Sequence, residues 1–210
     1  MAVSTVTVVD YGAGNLRSVA KAVERVGYLP QVTDDPREVL RARAVILPGV
    51  GASDSAMRAL QQRGLVGPLR EVIRGGVPFF GVCLGLQLLL DSSEEGSMPC
   101  LGIVPGRVKR FPPGLKVPHM GWNQVTLGGE HPVFEGVESG SYFYFVHSYY
   151  AAPDDPGLVL GTTEYGIQFC SVIAVDNLVA TQFHPEKSGA LGLRLYENFL
   201  RLMVTEGAGR

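Results

Sequence analysis

The sequence VPFFGVCLGLQLLL at residues 77–90 runs from an apolar, strand-like segment into a leucine-rich, helix-like one. Cys83 stands at the junction, and Gly81 and Gly85 lie two residues to either side of it. A nucleophile flanked by glycines between a buried strand and a helix is typical of a nucleophile elbow, a turn so tight that its flanks need glycine. We therefore predict a strand over 77–83, a helix over 84–90 and a reactive cysteine between them.

Two earlier segments repeat this pattern of an apolar strand that ends in a glycine turn. Residues 6–9 end in DYGAG at 10–14, and a helical pattern follows from Asn15. Residues 44–47 end in PGVG at 48–51, and Ser53 is a plausible N-cap for the helix that follows. Another helix is predicted over 65–73. Uniformly apolar strands that alternate with helices are typical of a parallel sheet covered on both faces.

The second half of the chain has a different character. Between residues 102 and 180, short β-type runs alternate with turns such as PDDP at 153–156, and residues 142–150 form an aromatic-rich strand pattern. A final helix is predicted over about 189–204. The fold prediction is the α/β class: an open, mostly parallel twisted sheet flanked by helices, with an added antiparallel β region in the second half. Residues 1–210 are expected to form one domain.

The composition excludes several classes of protein. Charged residues make up only 18% of the 210 residues, and the net charge is −2 with no basic stripe, so nucleic-acid binding has little support. No apolar run is long enough to predict a membrane span. The N-terminus lacks the pattern of a signal peptide, so a cytoplasmic location is expected. The 27 glycines and 14 prolines are dispersed among apolar runs, which argues against disorder.

Three cysteines, at positions 83, 100 and 170, form no disulfide framework and no zinc-binding pair. Cys100 and Cys170 lack glycine flanks and a following helix, so we interpret both as small buried hydrophobes. At Cys83, the N-terminus of the following helix favours a thiolate, and the Leu84 N–H is expected to point at a developing oxyanion.

A nucleophilic thiolate needs a base, and the base needs a group that orients it. Of the four histidines, only His184 has a carboxylate two residues on, at Glu186. Residues i and i+2 of an extended segment project to the same side, and Pro185 stiffens the link. Glu186 is thus expected to hold the imidazole tautomer while the other ring nitrogen faces Cys83. A metal site at these residues would lack a third ligand, so no metal or other cofactor is predicted.

These motifs carry a family resemblance. GVCLGLQ at 81–87 and QFHPEKS at 182–188 resemble the class-I, triad-type glutamine amidotransferases. Further blocks between residues 10 and 188, such as PHMGWN at 118–123 and YFVHSYY at 144–150, are similar to the glutaminase subunits of imidazole glycerol phosphate synthases. One departure is Ser53, which stands where the family pattern has an aromatic residue.

The resemblance implies a glutaminase that releases ammonia and glutamate through a γ-glutamyl thioester. Its catalytic triad would be Cys83, His184 and Glu186. The oxyanion hole would be formed by backbone N–H groups of Leu84 and of the 48–51 loop, Val50 and Gly51. The substrate-binding residues would be Gly49, Gln87, Ser148 and Tyr149.

The resemblance also implies a partner, the (β/α)₈-barrel cyclase subunit, in a heterodimer. The cyclase would consume the ammonia to make imidazole glycerol phosphate and an aminoimidazole carboxamide ribonucleotide in histidine biosynthesis. Trp122, the only tryptophan, is interpreted as an interface anchor. The expected interface residues are Asn15, Trp122, Asn123 and Lys187. Because ammonia made without a partner would be wasted, activity is expected to depend on the complex.

Two other functions remain open at this point. The first is a non-catalytic regulatory or binding module on the same fold, since one fold can host many functions. The presence of Cys83, His184 and Glu186 argues against it. The second is a stand-alone cysteine hydrolase of γ-glutamyl compounds, which steady turnover without a partner would favour.

Overall fold

The computed structural model describes residues 5–12 and 14–206, with side chains up to residue 202. Ala13, predicted to lie in the turn after the first strand, and residues 1–4 at the N-terminus are outside the described residues. The described strands are β1 (Thr5–Val9), β2 (Leu29–Thr33), β3 (Val45–Leu47), β4 (Phe79–Val82), β5 (Ser92–Ser93), β6 (Gly106–Arg110), β7 (His119–Leu127), β8 (Ser141–His147), β9 (Tyr149–Pro153), β10 (Val159–Glu164), β11 (Gln168–Val175) and β12 (Leu178–Thr181). The described helices are α1 (Leu16–Arg25), α2 (Pro36–Leu40), α3 (Ser53–Gln62), α4 (Val66–Arg74), α5 (Leu84–Gln87) and α6 (Gly189–Glu206).

The first half of the sheet is parallel, in the order β2-β1-β3-β4-β12. Helices cover both of its faces, so β3, β4 and β12 are buried along their whole length. Alternate side chains enter opposite cores: Phe79 packs in the core that α3 and α4 cover, and Phe80 in the core that α1 and α6 cover. The parallel sheet predicted from the apolar strands is confirmed.

Beyond β12 the sheet continues with antiparallel pairings through β11, β10, β7 and β8, while β6 and β9 pair off this path. The predicted antiparallel region is confirmed, and it holds more strands than the parallel part. The strand predicted over 142–150 is divided at Ser148 because the chain changes partner there: β8 pairs with β7, and β9 pairs with β6 and β11.

Some predicted element boundaries were wrong. The helix expected over 84–90 ends at Gln87, because the carbonyls of residues 88–90 accept hydrogen bonds from the segment 101–104 instead of from a continued helix. Ser53 is not an N-cap: Ala52 occupies that position, and the Ser53 N–H donates to the Glu95 carboxylate at 2.7 Å. Edge strand β2 and the five-residue α2 lacked an apolar pattern strong enough to predict them.

No helix in the described part of the chain combines the length and the apolar character that crossing a membrane requires.

Candidate active site

Four loops meet at one edge of the sheet because β1, β3, β4 and β12 are parallel and end there. Their described residues are 10–12 and 14–15, 48–51, 83–84 and 182–186. They come from distant parts of the chain, yet the register pairs Leu47 with Gly81 and Val82 with Thr181, so the strands end side by side. The sheet therefore brings the predicted nucleophile and the predicted base to neighbouring strand ends.

The turn at Cys83 is strained, as the glycine pattern predicts. Cys83 has φ 54° and ψ −105°, a left-handed conformation that a residue with a side chain rarely adopts. A Cβ at Gly85 would lie 2.0 Å from the Leu47 carbonyl oxygen, and one at Gly81 would lie 3.1 Å from the Ala180 Cβ. Close backbone packing thus requires glycine at Gly85 above all, and it holds the thiol at the strand end.

His184 and Glu186 form a buried pair. The His184 Nδ1 donates to the Glu186 Oε1 at 2.7 Å, and the two side chains are 1% and 0% exposed. The Asn15 side-chain amide donates to the same carboxylate oxygen, and the Tyr196 hydroxyl donates to the Oε2 at 3.4 Å. Because a carboxylate only accepts, the His184 Nδ1 carries a proton, and Nε2 is the nitrogen available to Cys83.

The charges around His184 favour its protonated form, as a base that accepts the thiol proton requires. Burial alone would lower the pKa of His184, but the Cys83 sulfur and the Glu186 carboxylate outweigh it and raise the pKa to about 10. The imidazolium is therefore the favoured form of His184, and a cationic neighbour is the setting that a thiolate nucleophile needs.

Gln182 contacts the Cys83 sulfur directly, and the sequence-based prediction missed it. Its side-chain amide donates to the Cys83 Sγ at 3.7 Å, and its oxygen accepts from Gln87 Nε2 at 3.1 Å. Gln87 Nε2 also donates to the Tyr149 carbonyl at 2.9 Å. The sequence could have predicted this contact, because Gln182 precedes His184 by two residues and so projects to the same side of an extended segment.

The loop at 48–51 packs against the elbow. A Cβ at Gly49 would lie 2.7 Å from the Leu84 Cβ and 2.6 Å from the Tyr11 hydroxyl, so the backbone approaches closely only without a side chain. The Tyr11 hydroxyl donates to the Pro48 carbonyl at 3.0 Å, and burial raises the pKa of Tyr11 well above its ordinary value. Tyr11 is thus a neutral donor that fixes this loop. The Leu84 N–H opens α5 and has no acceptor within the helix.

The two remaining cysteines are buried and unpaired by disulfides, as predicted. Burial raises the pKa of Cys100 to about 11 and that of Cys170 to about 12. Neither thiol ionises near neutral pH, so neither competes with Cys83 as a nucleophile.

The expected interface residues divide into two groups. Trp122 is 55% exposed on β7, next to Met120 at 63%, and its ring meets the edge of Tyr144. The exposed Lys187 places its Nζ 5.9 Å from the Tyr144 ring centre. Asn15 and Asn123, by contrast, are half-buried and use their amides within the chain: Asn15 donates to Glu186, and Asn123 donates to the Glu164 carbonyl at 2.9 Å.

The predicted substrate-binding residues lie near the elbow. Ser148 and Tyr149 are half-buried between β8 and the start of β9, and the Val146 carbonyl oxygen lies 3.9 Å from the Cys83 Sγ. Gln87 is buried and reaches Tyr149 through the hydrogen bond already described. The segment 146–149 thus runs beside Cys83.

Comparison with known proteins places this geometry in a family. Residues 7–203 match the family described as Glutamine amidotransferase class-I. The imidazole glycerol phosphate synthase subunit HisH of Dehalococcoides mccartyi is 52% identical over 200 residues, which cover 95% of this chain and 98% of that protein. The protein of the same name from Moorella thermoacetica is 54% identical over 203 residues, which cover 96% and 97%.

Solved structures share the fold at lower identity. A crystal structure of a glutamine amidotransferase matches with a TM-score of 0.74 at 21% identity and covers 94% of this chain and 98% of that chain. The structure of PurLQS from Thermotoga maritima matches with a TM-score of 0.74 at 16% identity, with coverage of 98% and 99%. Identities this low support the likeness of the fold alone.

Proposed function

Because the chain belongs to the class-I glutamine amidotransferases, and within them to the HisH subunits of imidazole glycerol phosphate synthase, we propose that Cys83, His184 and Glu186 are its catalytic triad. The observation that supports this most is the buried His184–Glu186 hydrogen bond beside a cysteine held at positive φ.

The mechanism follows from the charges and positions of these groups. The Cys83 sulfur attacks the side-chain amide carbon of glutamine, and His184 holds the thiol proton and passes it to the departing ammonia. The product is a γ-glutamyl thioester. A water molecule, activated by the same imidazole, then attacks the thioester carbon and releases glutamate and the free thiol. Glu186 keeps the Nδ1–H tautomer through both halves of the reaction.

The oxyanion of each tetrahedral intermediate would be held by backbone N–H groups. The Leu84 N–H opens a helix beside the nucleophile, and the second donor would come from Val50 or Gly51 in the glycine loop. Close packing of Gly49 on Leu84 supports this arrangement. Removing one such donor costs about 2.7–4 kcal/mol of barrier in other enzymes, so the orientation of this loop has a large effect on rate.

Glutamine would bind between Gln87 and the segment 148–149. Both amide hydrogens of Gln87 are used, one by the Tyr149 carbonyl and one by Gln182. Its side-chain oxygen is therefore the group left to accept from the α-ammonium of the substrate. Ser148 and Tyr149 would complete the pocket with Gly49.

The partner would be the cyclase subunit, in a heterodimer that uses the ammonia in histidine biosynthesis. The exposed side chains of Met120 and Trp122, with Lys187 near Tyr144, support a docking face on β7 and β8. Asn15 and Asn123 would contribute to the interface indirectly, since their amides are engaged in hydrogen bonds within the chain. One sheet that joins both halves supports a single domain over residues 1–210, and a cytoplasmic location fits this metabolic role.

The deciding experiment is a Cys83→Ala variant assayed with the cyclase. Synthesis that depends on glutamine should fall to background, while synthesis from added ammonium should persist at the wild-type rate. The ammonium reaction is the control for folding and assembly. If glutamine still supports synthesis, Cys83 is not the nucleophile.

Dependence on the partner needs a separate measurement. Glutamate release by the isolated chain should be slow, and it should rise when the cyclase and its nucleotide ligand are added. Trp122 fluorescence should change in the same titration. Full turnover by the isolated chain would contradict the gating proposal and favour a stand-alone hydrolase.

A further inference from the structure

Two buried histidines outside the triad are paired across β7 and β8. The strand register places His119 opposite His147, and the two residues are only 4% and 6% exposed. The His119 Nδ1 lies 3.0 Å from the His147 Nε2. Aromatic rings surround the pair, with Tyr165 stacked on His119 at 4.0 Å between ring centres. Polar rings in such a setting are costly unless every nitrogen has a partner.

The partners fix which nitrogens carry the protons. The His147 Nδ1 lies 2.8 Å from the Tyr149 carbonyl oxygen, which can only accept, so this nitrogen is protonated. In a neutral ring the His147 Nε2 is then an acceptor, and the His119 Nδ1 must donate to it. The remaining His119 Nε2 accepts from the Asn123 amide at 3.2 Å. One proton assignment satisfies the whole chain of hydrogen bonds.

Both imidazoles stay neutral across the physiological range. Burial lowers the pKa of His119 to about 4. Burial is also the largest influence on His147 and lowers its pKa to about 3, against a smaller opposing effect of the hydrogen bond to Tyr149. A second proton on either ring would place two donors face to face or leave Asn123 without its acceptor. The neutral state of both rings therefore preserves the direction of each hydrogen bond from Asn123 through the two histidines to Tyr149.

The line of hydrogen bonds through the two histidines reaches the Tyr149 carbonyl, which also borders the proposed substrate pocket. The Tyr149 carbonyl accepts from His147 on one side and from Gln87 Nε2 at 2.9 Å on the other. Gln87 Nε2 also donates to Gln182, whose own amide donates to the Cys83 Sγ. A continuous line of hydrogen bonds thus joins Asn123 on β7 to the nucleophile.

We propose that His119 and His147 are positioning residues for glutamine: they fix the Tyr149 carbonyl and, through it, the orientation of the Gln87 carboxamide. This inference rests on the proposed function, in which Gln87 accepts from the α-ammonium of the substrate. If the Tyr149 carbonyl loses its donor on the histidine side, it is free to turn, and Gln87 can flip its oxygen away from the pocket.

The test is a KM-against-kcat comparison in the complex with the cyclase. His147→Phe keeps the ring and removes the donor, and it should raise the KM for glutamine about tenfold while kcat changes less than about threefold. His147→Asn retains a donor near the Nδ1 position, and it should bring KM back to within about threefold of wild type. Tyr165→Phe is the matched control, because it keeps the stacked ring and loses only a hydrogen bond to the Lys116 carbonyl.

The outcomes separate this inference from the proposed function. A wild-type complex that releases no glutamate from glutamine contradicts the proposed function. An active wild type with an unchanged KM in His147→Phe, or an equal rise in Tyr165→Phe, overturns the positioning role alone.

A spectroscopic measurement covers the case in which a variant does not fold. The ¹⁵N spectrum of the histidine rings in the full wild-type chain should show His119 and His147 as neutral Nδ1–H tautomers at pH 7. An Nε2–H tautomer, or a charged ring, at either position overturns the proposal.

Discussion

His184 and His147 lie in two different regions of the molecule. Their Nδ1 hydrogen bonds have nearly the same length, but their pKa values shift in opposite directions. Each buried ring donates from Nδ1 to an oxygen, at 2.7 Å in the proposed triad and at 2.8 Å between β8 and β9. Burial disfavours the charged ring in both places. The sulfur and carboxylate beside His184 outweigh burial and raise its pKa to about 10, whereas the pKa of His147, which donates to a neutral carbonyl, falls to about 3. The charge of the neighbours, more than the distance, decides whether a buried histidine keeps a proton.

The strongest way to break this contrast is Glu186→Gln, which gives His184 a neutral partner like that of His147. The amide can also donate to Nδ1 and so favour the wrong tautomer. In a serine protease, the equivalent carboxylate-to-amide change lowers kcat about 10⁴-fold, and we expect a loss of that order here. Steady-state glutamate release by the complex measures it. Glu164→Gln, at an exposed carboxylate, is the control, and similar rates for the two variants would contradict the role of Glu186.

A smaller change is Asn15→Ala, which keeps the carboxylate but removes one of its donors. A hydrogen bond to a charged group contributes about 1.5–3 kcal/mol, so kcat should fall at least about tenfold. Tyr196→Phe removes the longer contact on the other oxygen, at 3.4 Å, and should cost less. If the Tyr196 variant is slower than the Asn15 variant, the ranking of the two contacts is wrong.

A measurement of stability against pH sharpens the contrast from the side of His147. The folded-state pKa values of His119 and His147 lie below the ordinary value of 6.5, so below that pH the unfolded chain binds protons that the folded chain does not. The free energy of unfolding should therefore decrease as pH falls from 6.5 towards 4, by about 1.4 kcal/mol per pH unit for each such histidine. His184, with its raised pKa, acts oppositely and loses its contribution as pH rises towards 10.

Urea unfolding at several pH values between 7 and 4.5 measures this slope. His147→Phe should show a shallower decrease than wild type, by about one proton. Parallel curves for the two proteins would mean that His147 is protonated in the folded state, against its lowered pKa.

The arrangement of Cys83, His184 and Glu186, the proposed triad, could be predicted from the sequence because local backbone rules determine it. Cys83 stands between two glycines that a tight turn requires, and His184 and Glu186 are two residues apart in an extended segment. The parallel arrangement of β1, β3 and β4 could be inferred from their apolar character, whereas the place of β12 beside β4 became clear only in the structure. The sequence therefore predicts the reactive groups and the edge of the sheet where they lie.

The histidine pair could not be predicted in the same way. His119 and His147 are 28 residues apart and meet only through the register of β7 and β8, which the alternation of side chains does not specify between strands. Asn15 was expected at an interface. Its left-handed backbone, with φ 78°, accompanies an amide turned towards Glu186, 171 residues away. Contacts of this range depend on the assembled sheet.

The position of β12 in the sheet has a consequence for how the chain is made. β12 is the parallel neighbour of β4, although roughly one hundred residues separate them, and His184 lies in the loop that follows β12. At ribosomal rates of about 5–20 residues per second, the edge of β4 waits on the order of 5–20 s for its partner strand. During that time an apolar strand edge is open to wrong pairing, which favours protection by chaperones. Cys83 meets His184 only after β12 has been made and paired, so a chain that stops short of β12 lacks the proposed triad.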